Sequence, residues 1–278
     1  MAFKNYIKKE DWFNKAIHGD CLEVMKYIPD GSVDFILTDP PYGTTECAWD
    51  STLPFDKMWE QLNRIIKPNG AIALFGSEPF STKLRMSNIK YYKYDWYWVK
   101  NTITGFMHAH NKPLKNLELI SIFSKGTTVH KSQSKNRMVY NPQGLIEINK
   151  TQKSGERKYG SIVGKRPSHK KEYVQKYTNF PRMVLEFKAV ANNLHPTQKP
   201  VDLLEYLIRT YTNEYDLVLD FTMGVGSTLV ACKNANRYFI GIEKVEKYYN
   251  TALERLTTSK DRVKSIKKQI KIDYSNYL

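Results

Sequence analysis

Apolar positions in the first 124 residues fall in short runs separated by turn residues, and the runs alternate between a strand period and a helix period. Ala16 to Asp20 reads as a short strand ending in an acidic turn, and Cys21 to Ile28 as a helix closed by Pro29-Asp30-Gly31. Ser32 to Thr38 is a nearly continuous apolar run bounded by turn residues, the pattern of a strand buried on both faces. A helix over Phe55–Ile66, a Lys67-Pro68-Asn69-Gly70 stop, and strands over Ala71–Phe75, Tyr94–Val99 and Leu117–Phe123 continue the series. From Ser124 to about Asn193 the apolar runs thin out, and Lys, Ser, Asn, Gln and Tyr dominate. Regular alternation returns after His195-Pro196, with helices over Val201–Tyr211, Gly226–Asn234 and Lys247–Leu256 around strands over Leu217–Asp220 and Tyr238–Glu243. Such alternation predicts an α/β fold, a mostly parallel sheet with helices on both faces.

Length and charge refine this picture. A chain of 278 residues can bury a large core as one α/β domain with an insertion. The expected organisation is a first half over 1–124, a polar insert over 125–193, a second half of the same domain over 194–258, and a basic tail over 259–278 that reads as a solvated helix face. Lys and Arg number 43 against 28 Asp and Glu, a net charge of +15 that points to a polyanionic partner. Residues 125–188 hold fifteen Lys and Arg and four acids, so +11 of the excess sits in the insert. Tyr140, Tyr159, Tyr173, Tyr177 and Phe180 add aromatic bodies that can pack or stack there, which favours an ordered nucleic-acid-binding insert over a disordered basic loop.

Cys21, Cys47 and Cys232 are widely separated and form no CxxC pair, so neither a disulfide framework nor a structural zinc site is supported, and no metal is expected. The first residues lack an apolar signal core, and nowhere do about 18 apolar residues run together as a membrane span requires. A reducing, cytoplasmic setting without a membrane partner is the expectation.

The most informative stretch is Thr38-Asp39-Pro40-Pro41-Tyr42-Gly43, at the carboxyl end of a buried strand, where open α/β sheets put their active sites. Two prolines fix the backbone and free the Pro40 carbonyl to face a ligand beside the Asp39 carboxylate. An amino nitrogen on an aromatic base is a poor nucleophile, because its lone pair is delocalised into the ring. Two acceptors that take its N–H bonds expose that lone pair, and Asp39 with the Pro40 carbonyl supplies such a pair. Tyr42 offers a flat face for a base extruded from a duplex. An ordinary rigid Pro-Pro loop is the blander alternative.

A second constellation, Asp220-Phe221-Thr222-Met223-Gly224-Val225-Gly226-Ser227-Thr228, runs from strand through a glycine turn into a helix. Gly224 and Gly226 let the main chain approach a ligand, and the helix start near Ser227 orients N–H donors toward a carboxylate. A dinucleotide fingerprint would want Gly or Ala three residues past Gly226, where Leu229 stands. Glu243, about 20 residues beyond the turn at a strand end, is suited to ribose hydroxyls. Thr197 and Lys199, in His195-Pro196-Thr197-Gln198-Lys199-Pro200, are expected near a ligand carboxylate, while Pro200 serves as a helix-start residue.

With these pieces the chain resembles the β-class amino-group DNA methyltransferases, in which a D/S-P-P-Y segment comes first, a target-recognition region lies in the middle, and H-P-x-x-K-P with the glycine-rich cofactor segment comes last. The resemblance implies a Rossmann-like S-adenosylmethionine-dependent methyltransferase fold with a basic target-recognition insert, acting on double-stranded DNA. Carried over by position, Asp39, Pro40, Pro41 and Tyr42 bind and orient a flipped base. Asp220, Thr222, Gly224, Gly226, Ser227, Thr228 and Glu243 line the S-adenosylmethionine site with Thr197 and Lys199, and Asp20 in the His18-Gly19-Asp20 turn faces the cofactor's adenine. Asp39, where members acting on cytosine N4 more often carry Ser, implies adenine N6 as acceptor, with cytosine N4 the alternative. Two departures stand out: Phe221-Thr222 follow Asp220 where the family commonly reads Pro-Phe, and Val225 stands where Ser is usual. A homodimer and a cognate restriction endonuclease are partners that this reading leaves open.

Cytosine C5 methylation needs a thiolate nucleophile presented as Pro-Cys, and none of the three cysteines follows a proline. RNA and protein-glutamine amino methyltransferases carry their (N/D)PPY segment after the glycine-rich strand, the reverse of the order here. A non-catalytic DNA-binding protein on a decayed scaffold would keep the basic insert and lose acceptor or cofactor groups, yet Asp39, Tyr42, Gly224, Gly226 and Glu243 are all present. Leu229 and the basic charge argue against a nicotinamide oxidoreductase.

Overall fold

The computed structural model describes residues 8–43, 53–129, 134–153, 172–191, 194–195 and 197–258. Cys47, Tyr159, Pro196 and the 259–278 tail lie outside the described residues. In chain order the elements are β1 (Lys15–His18), α1 (Cys21–Met25), β2 (Val33–Thr38), α2 (Phe55–Ile65), β3 (Ile66–Gly76), α3 (Phe80–Ser87), β4 (Tyr92–Thr104), β5 (Lys115–Phe123), β6 (Ile146–Lys153), β7 (Glu172–Thr178), β8 (Val184–Glu186), α4 (Val201–Tyr211), β9 (Leu217–Asp220), α5 (Ser227–Asn234), β10 (Tyr238–Glu243) and α6 (Glu246–Thr258).

One eight-stranded sheet runs in the order β1-β10-β9-β2-β3-β5-β4-β8, and all neighbouring pairs are parallel except β3 with β5 and β5 with β4. The strands therefore share one direction apart from β5. Period-two alternation divides their side chains between two cores. Phe35, Leu37, Ala73, Phe75 and Val218 pack with Leu203, Leu207, Tyr211 and Leu229 of α4 and α5 on one face. Ile36, Ile72, Leu74, Leu217 and Leu219 pack with Val24, Met58, Leu62, Ile65 and Leu84 of α1, α2 and α3 on the other. Every residue of β2 and β9 is buried, which is why Ser32 to Thr38 reads as a nearly continuous apolar run.

Several boundaries differ from the sequence pattern for physical reasons. Helix α1 stops at Met25 because the following N–H groups of Tyr27 and Ile28 turn back to Val24 and Met25 before Pro29. Strand β3 begins at Ile66, which pairs with Val33. The Lys67–Gly70 stretch is then looped out as a register irregularity before Ala71 meets Phe35. Helix α3 has no counterpart in the sequence reading, and β4 and β5 run longer than expected, to Thr104 and from Lys115.

Within the polar segment, β6 and β7 form a separate antiparallel hairpin, whereas β8 pairs with β4 at the edge of the main sheet. Met138 is buried in the main core, and Asn141 is tied to the end of α4 through the Thr210 and Thr212 carbonyls. Among the described residues no helix is long and apolar enough to cross a membrane.

Candidate active site

The site arises where the sheet changes winding direction. From β9 the chain passes through α5 to β10 on one side, and from β2 it passes through α2 to β3 on the other, which leaves a crevice above the carboxyl ends of β2 and β9. The Asp39 segment and the glycine turn leave these two adjacent strands, and three threonine and aspartate contacts join them. The Thr38 hydroxyl donates to Asp220 Oδ1 at 2.5 Å and lies 2.7 Å from Thr222 Oγ1, and Thr222 Oγ1 donates to the Asp39 carbonyl at 3.1 Å.

Asp39 is the centre of a half-buried polar cluster in which Lys199 is the most buried member. Its Oδ2 accepts from Lys199 Nζ at 2.5 Å, and its Oδ1 accepts from the Tyr42 hydroxyl. The Tyr42 ring lies against Phe80, with centroids 4.9 Å apart and planes at 31°. Lys199, expected near a ligand carboxylate, has its ammonium on Asp39, 3.4 Å from Glu118 Oε2 and 5.1 Å above the Phe75 ring. Glu118 Oε1 in turn accepts from Lys100. Thr197 is exposed, with its N–H donating to His195 Nδ1 at 3.2 Å.

Burial, reinforced by the Glu118 charge, raises the Asp39 carboxyl above the ordinary aspartate range, and Lys199 offsets that only in part. Glu118 is held below its usual value because Lys199 and Lys100 outweigh the opposing effect of burial. For Lys199 burial favours the neutral amine, yet Asp39 and Glu118 outweigh it and keep the ammonium charged. Burial also pushes Asp220 up to about 6, against hydrogen bonds from Thr228 and Thr38.

The opposite wall of the crevice is built on the glycine turn. Gly224 has φ +51° with open space where a side chain would stand, and Gly226 has φ +73° and a Cβ position only 2.9 Å from Ala252 Cβ. Glu243 accepts from the Gly224 N–H at 2.9 Å and the Val245 N–H at 2.7 Å, so its carboxylate braces the turn while keeping lone pairs for hydroxyl donors. Asp20 caps α1 through the Leu22 N–H at 3.0 Å, and Lys244 reaches it at 3.2 Å. Arg255 donates to the Val225 carbonyl at 2.5 Å and to Ser227 Oγ at 3.1 Å, which fixes the start of α5. Acidic acceptors at the ends of β10 and β1, an open Gly224 and the start of α5 form a donor and acceptor set that fits a nucleoside bearing a carboxylate.

The sequence reading missed Thr38, Phe75, Lys100, Glu118 and Arg255. A lone Lys in Trp98-Val99-Lys100 and a lone Glu in Leu117-Glu118-Leu119-Ile120 were the only local signals, each an isolated charge in an apolar strand. Cys21 and Cys232 are buried; desolvation with the Asp20 charge pushes the Cys21 thiol up to about 12 and burial raises Cys232 well above its usual value, so neither is an activated thiolate. Among the described residues no group of three or more His, Cys, Asp or Glu side chains could hold a metal ion.

Residues 33–254 match the profile of the N6/N4 DNA methylases, and the chain belongs to this family of amino-group DNA methyltransferases. Type II methyltransferase M.BglII of Bacillus subtilis is 28% identical over 269 residues, covering 89% of this chain and 70% of its own. Type II methyltransferase M2.LlaDCHI of Lactococcus lactis subsp. cremoris is 27% identical over 283 residues, covering 92% and 93%. Among solved structures, the M1.HpyAVI–SAM complex superposes with a TM-score of 0.58 at 26% identity, over 87% of this chain and 98% of that one. The cytosine-N4-specific PvuII DNA methyltransferase shares the fold, with a TM-score of 0.61 at 16% identity over 87% and 86%. The protein is therefore a DNA methyltransferase that uses S-adenosylmethionine, on a Rossmann-like fold.

Proposed function

We propose that the chain methylates N6 of an adenine flipped out of duplex DNA at a specific sequence. The reading is carried by Asp39, a carboxylate 2.5 Å from Lys199 Nζ, in a crevice walled by the glycine turn. S-adenosylmethionine, when bound, supplies a methyl group on a positively charged sulfur. Gly224, Gly226, Ser227, Glu243 and Asp20 would hold it, with Asp220, Thr222 and Thr228 beneath the turn.

Asp39 and the Pro40 carbonyl accept the two N6 hydrogens, which localises the nitrogen lone pair for in-line attack on that methyl group. Tyr42, braced on Phe80 and hydrogen-bonded to Asp39, fixes the carboxylate and gives the extruded base an aromatic neighbour. Asp39 also receives the proton that the methylated nitrogen must lose, and its raised proton affinity suits that task.

The basic segment 125–193, with the exposed Tyr173 and Tyr177 of its hairpin, grips the DNA backbone and presents side chains to the groove. The setting that suits this activity is the cytoplasm, with a cognate restriction endonuclease as a partner of the same system; a homodimer is compatible with it.

The test is to incubate the protein with labelled S-adenosylmethionine and unmethylated DNA of mixed sequence, digest to nucleosides and identify the labelled species by mass spectrometry. N6-methyldeoxyadenosine is the expected product. N4-methyldeoxycytidine would keep the family and overturn the choice of base.

A further inference from the structure

The cluster behind Asp39 contains more charge than a simple acceptor needs. Lys100 from β4, Glu118 from β5, Lys199 from the segment before α4 and Asp39 after β2 form a chain of alternating sign, with side-chain exposures of 18%, 14%, 8% and 18%. Strand register brings Glu118 opposite Trp98, two residues from Lys100, and Lys100 lies 5.2 Å over the Trp98 ring. Glu118 Oε2 is buried without a hydrogen-bond partner and lies 3.4 Å from Lys199 Nζ. If Lys199 served only to neutralise Asp39, the pair alone would suffice, and burying a second acid and base would be a desolvation penalty without return.

We propose that Glu118 is a positioning residue for methyl transfer: it shares the Lys199 ammonium with Asp39, so that the Asp39 carboxylate keeps enough negative charge and free lone-pair capacity to take the hydrogens of the target amino group. Lys100 balances Glu118 and leaves the cluster neutral. This inference rests on the catalytic reading of Asp39 given above. The titratable and charged groups around the cluster are Tyr42 and Asp220 near Asp39, His195 near Lys199, and Lys115 near Glu118 and Lys100.

The sign of each charge gives a readout that a purely structural role would not move. Activity requires ionised Asp39, so the rate rises with pH through its titration. Removing the like charge of Glu118 moves this acid limb to lower pH, whereas removing the cation of Lys199 moves it to higher pH.

The experiment measures single-turnover transfer against pH at saturating S-adenosylmethionine and DNA for Glu118→Gln, Lys199→Met and Asp39→Asn, with cofactor dissociation constants and melting curves alongside. Glu118→Gln is expected to lower the plateau rate roughly tenfold or more, the scale on which supporting partners of a reactive group act. Its acid limb shifts downward, its cofactor affinity stays near wild type, and Glu118→Asp recovers part of the rate. Lys199→Met shifts the limb upward. Should Glu118→Gln fail to fold, Lys100→Gln combined with Glu118→Gln removes one charge of each sign and carries the same expectation. A wild-type rate and acid limb in the Glu118 variants, or a shift in the same direction as Lys199→Met, would overturn the inference. Full activity in Asp39→Asn would instead overturn the catalytic reading itself, whatever Glu118 does.

Discussion

Asp34, buried near the start of β2, and Asp39, half-buried just past its end, are both aspartates paired with lysine, yet their surroundings act in opposite directions. Asp34 accepts from the Leu217 N–H at 3.0 Å, from Lys9 Nζ at 3.0 Å and from Lys67, and these donors outweigh burial and hold its carboxyl below the ordinary range. Asp39 shares its lysine with Glu118, and burial wins. A backbone N–H and two cations of its own make Asp34 a clamp between β2 and β9. Partial compensation leaves Asp39 ready to take a proton or an N–H bond. Along one strand and its exit, then, the number of donors each carboxylate owns separates a structural acid from the acid proposed to react.

Substitution should separate the two ends sharply. Asp39→Ala is expected to reduce the transfer rate by roughly 10²–10⁴-fold, the range of a lost acid–base group, with S-adenosylmethionine affinity unchanged by calorimetry. Asp34→Ala should do the converse: about 1–3 kcal/mol less stability in urea unfolding, chiefly from the buried Leu217 N–H left without its acceptor, with a near-normal rate in the fraction that remains folded. An Asp34 variant that loses rate while keeping stability would erase the contrast.

Smaller effects sharpen it. Glu243→Gln, at the proposed cofactor wall, is expected to weaken S-adenosylmethionine binding about tenfold, some 1–2 kcal/mol, without changing the rate at saturation; an unchanged dissociation constant would overturn the proposed ribose contact. The pH dependence of stability carries the sign of each group. Because the Asp34 pKa is lowered by folding, its contribution is present above the unfolded value and is lost as pH falls through the folded one, so Asp34→Asn should flatten the acid side of a stability curve. Asp220, raised to about 6, binds its proton more tightly when folded, and its contribution falls as pH rises from the ordinary 3.8 through about 6. Asp220→Asn should flatten urea midpoints across that window. At pH 7 its net change should stay within about 1 kcal/mol, because relief of the buried charge offsets the lost carboxylate bonds.

Much of this was legible in the chain. The nearly continuous apolar run into Thr38-Asp39-Pro40-Pro41-Tyr42 identified a buried strand and the place where a candidate site would lie, because burial on both faces and proline rigidity are local properties of sequence. The glycine turn after Asp220 was legible for the same reason. What escaped was everything set by register between distant strands. The pairing of Lys100 with Glu118 depends on how β4 lies against β5, and the arrival of Lys199 at Asp39 spans 160 positions, so no spacing rule could announce either. Lys67–Gly70 misled in another way: turn residues there make an outward loop within β3 instead of ending an element.

The insertion of β10 and β9 between β1 and β2 also sets a timetable for synthesis. On the ribosome, β2 has β3 as its sole neighbour and β1 has none until β9 and β10 emerge about 180 residues later, roughly ten to forty seconds at ordinary elongation rates. The nascent amino-terminal half spends that interval with open strand edges, the surfaces on which chains stick to one another. The crevice between the Asp39 segment and the glycine turn can close only once β9 lies beside β2, so a chain terminated before Leu217 lacks one wall of it altogether.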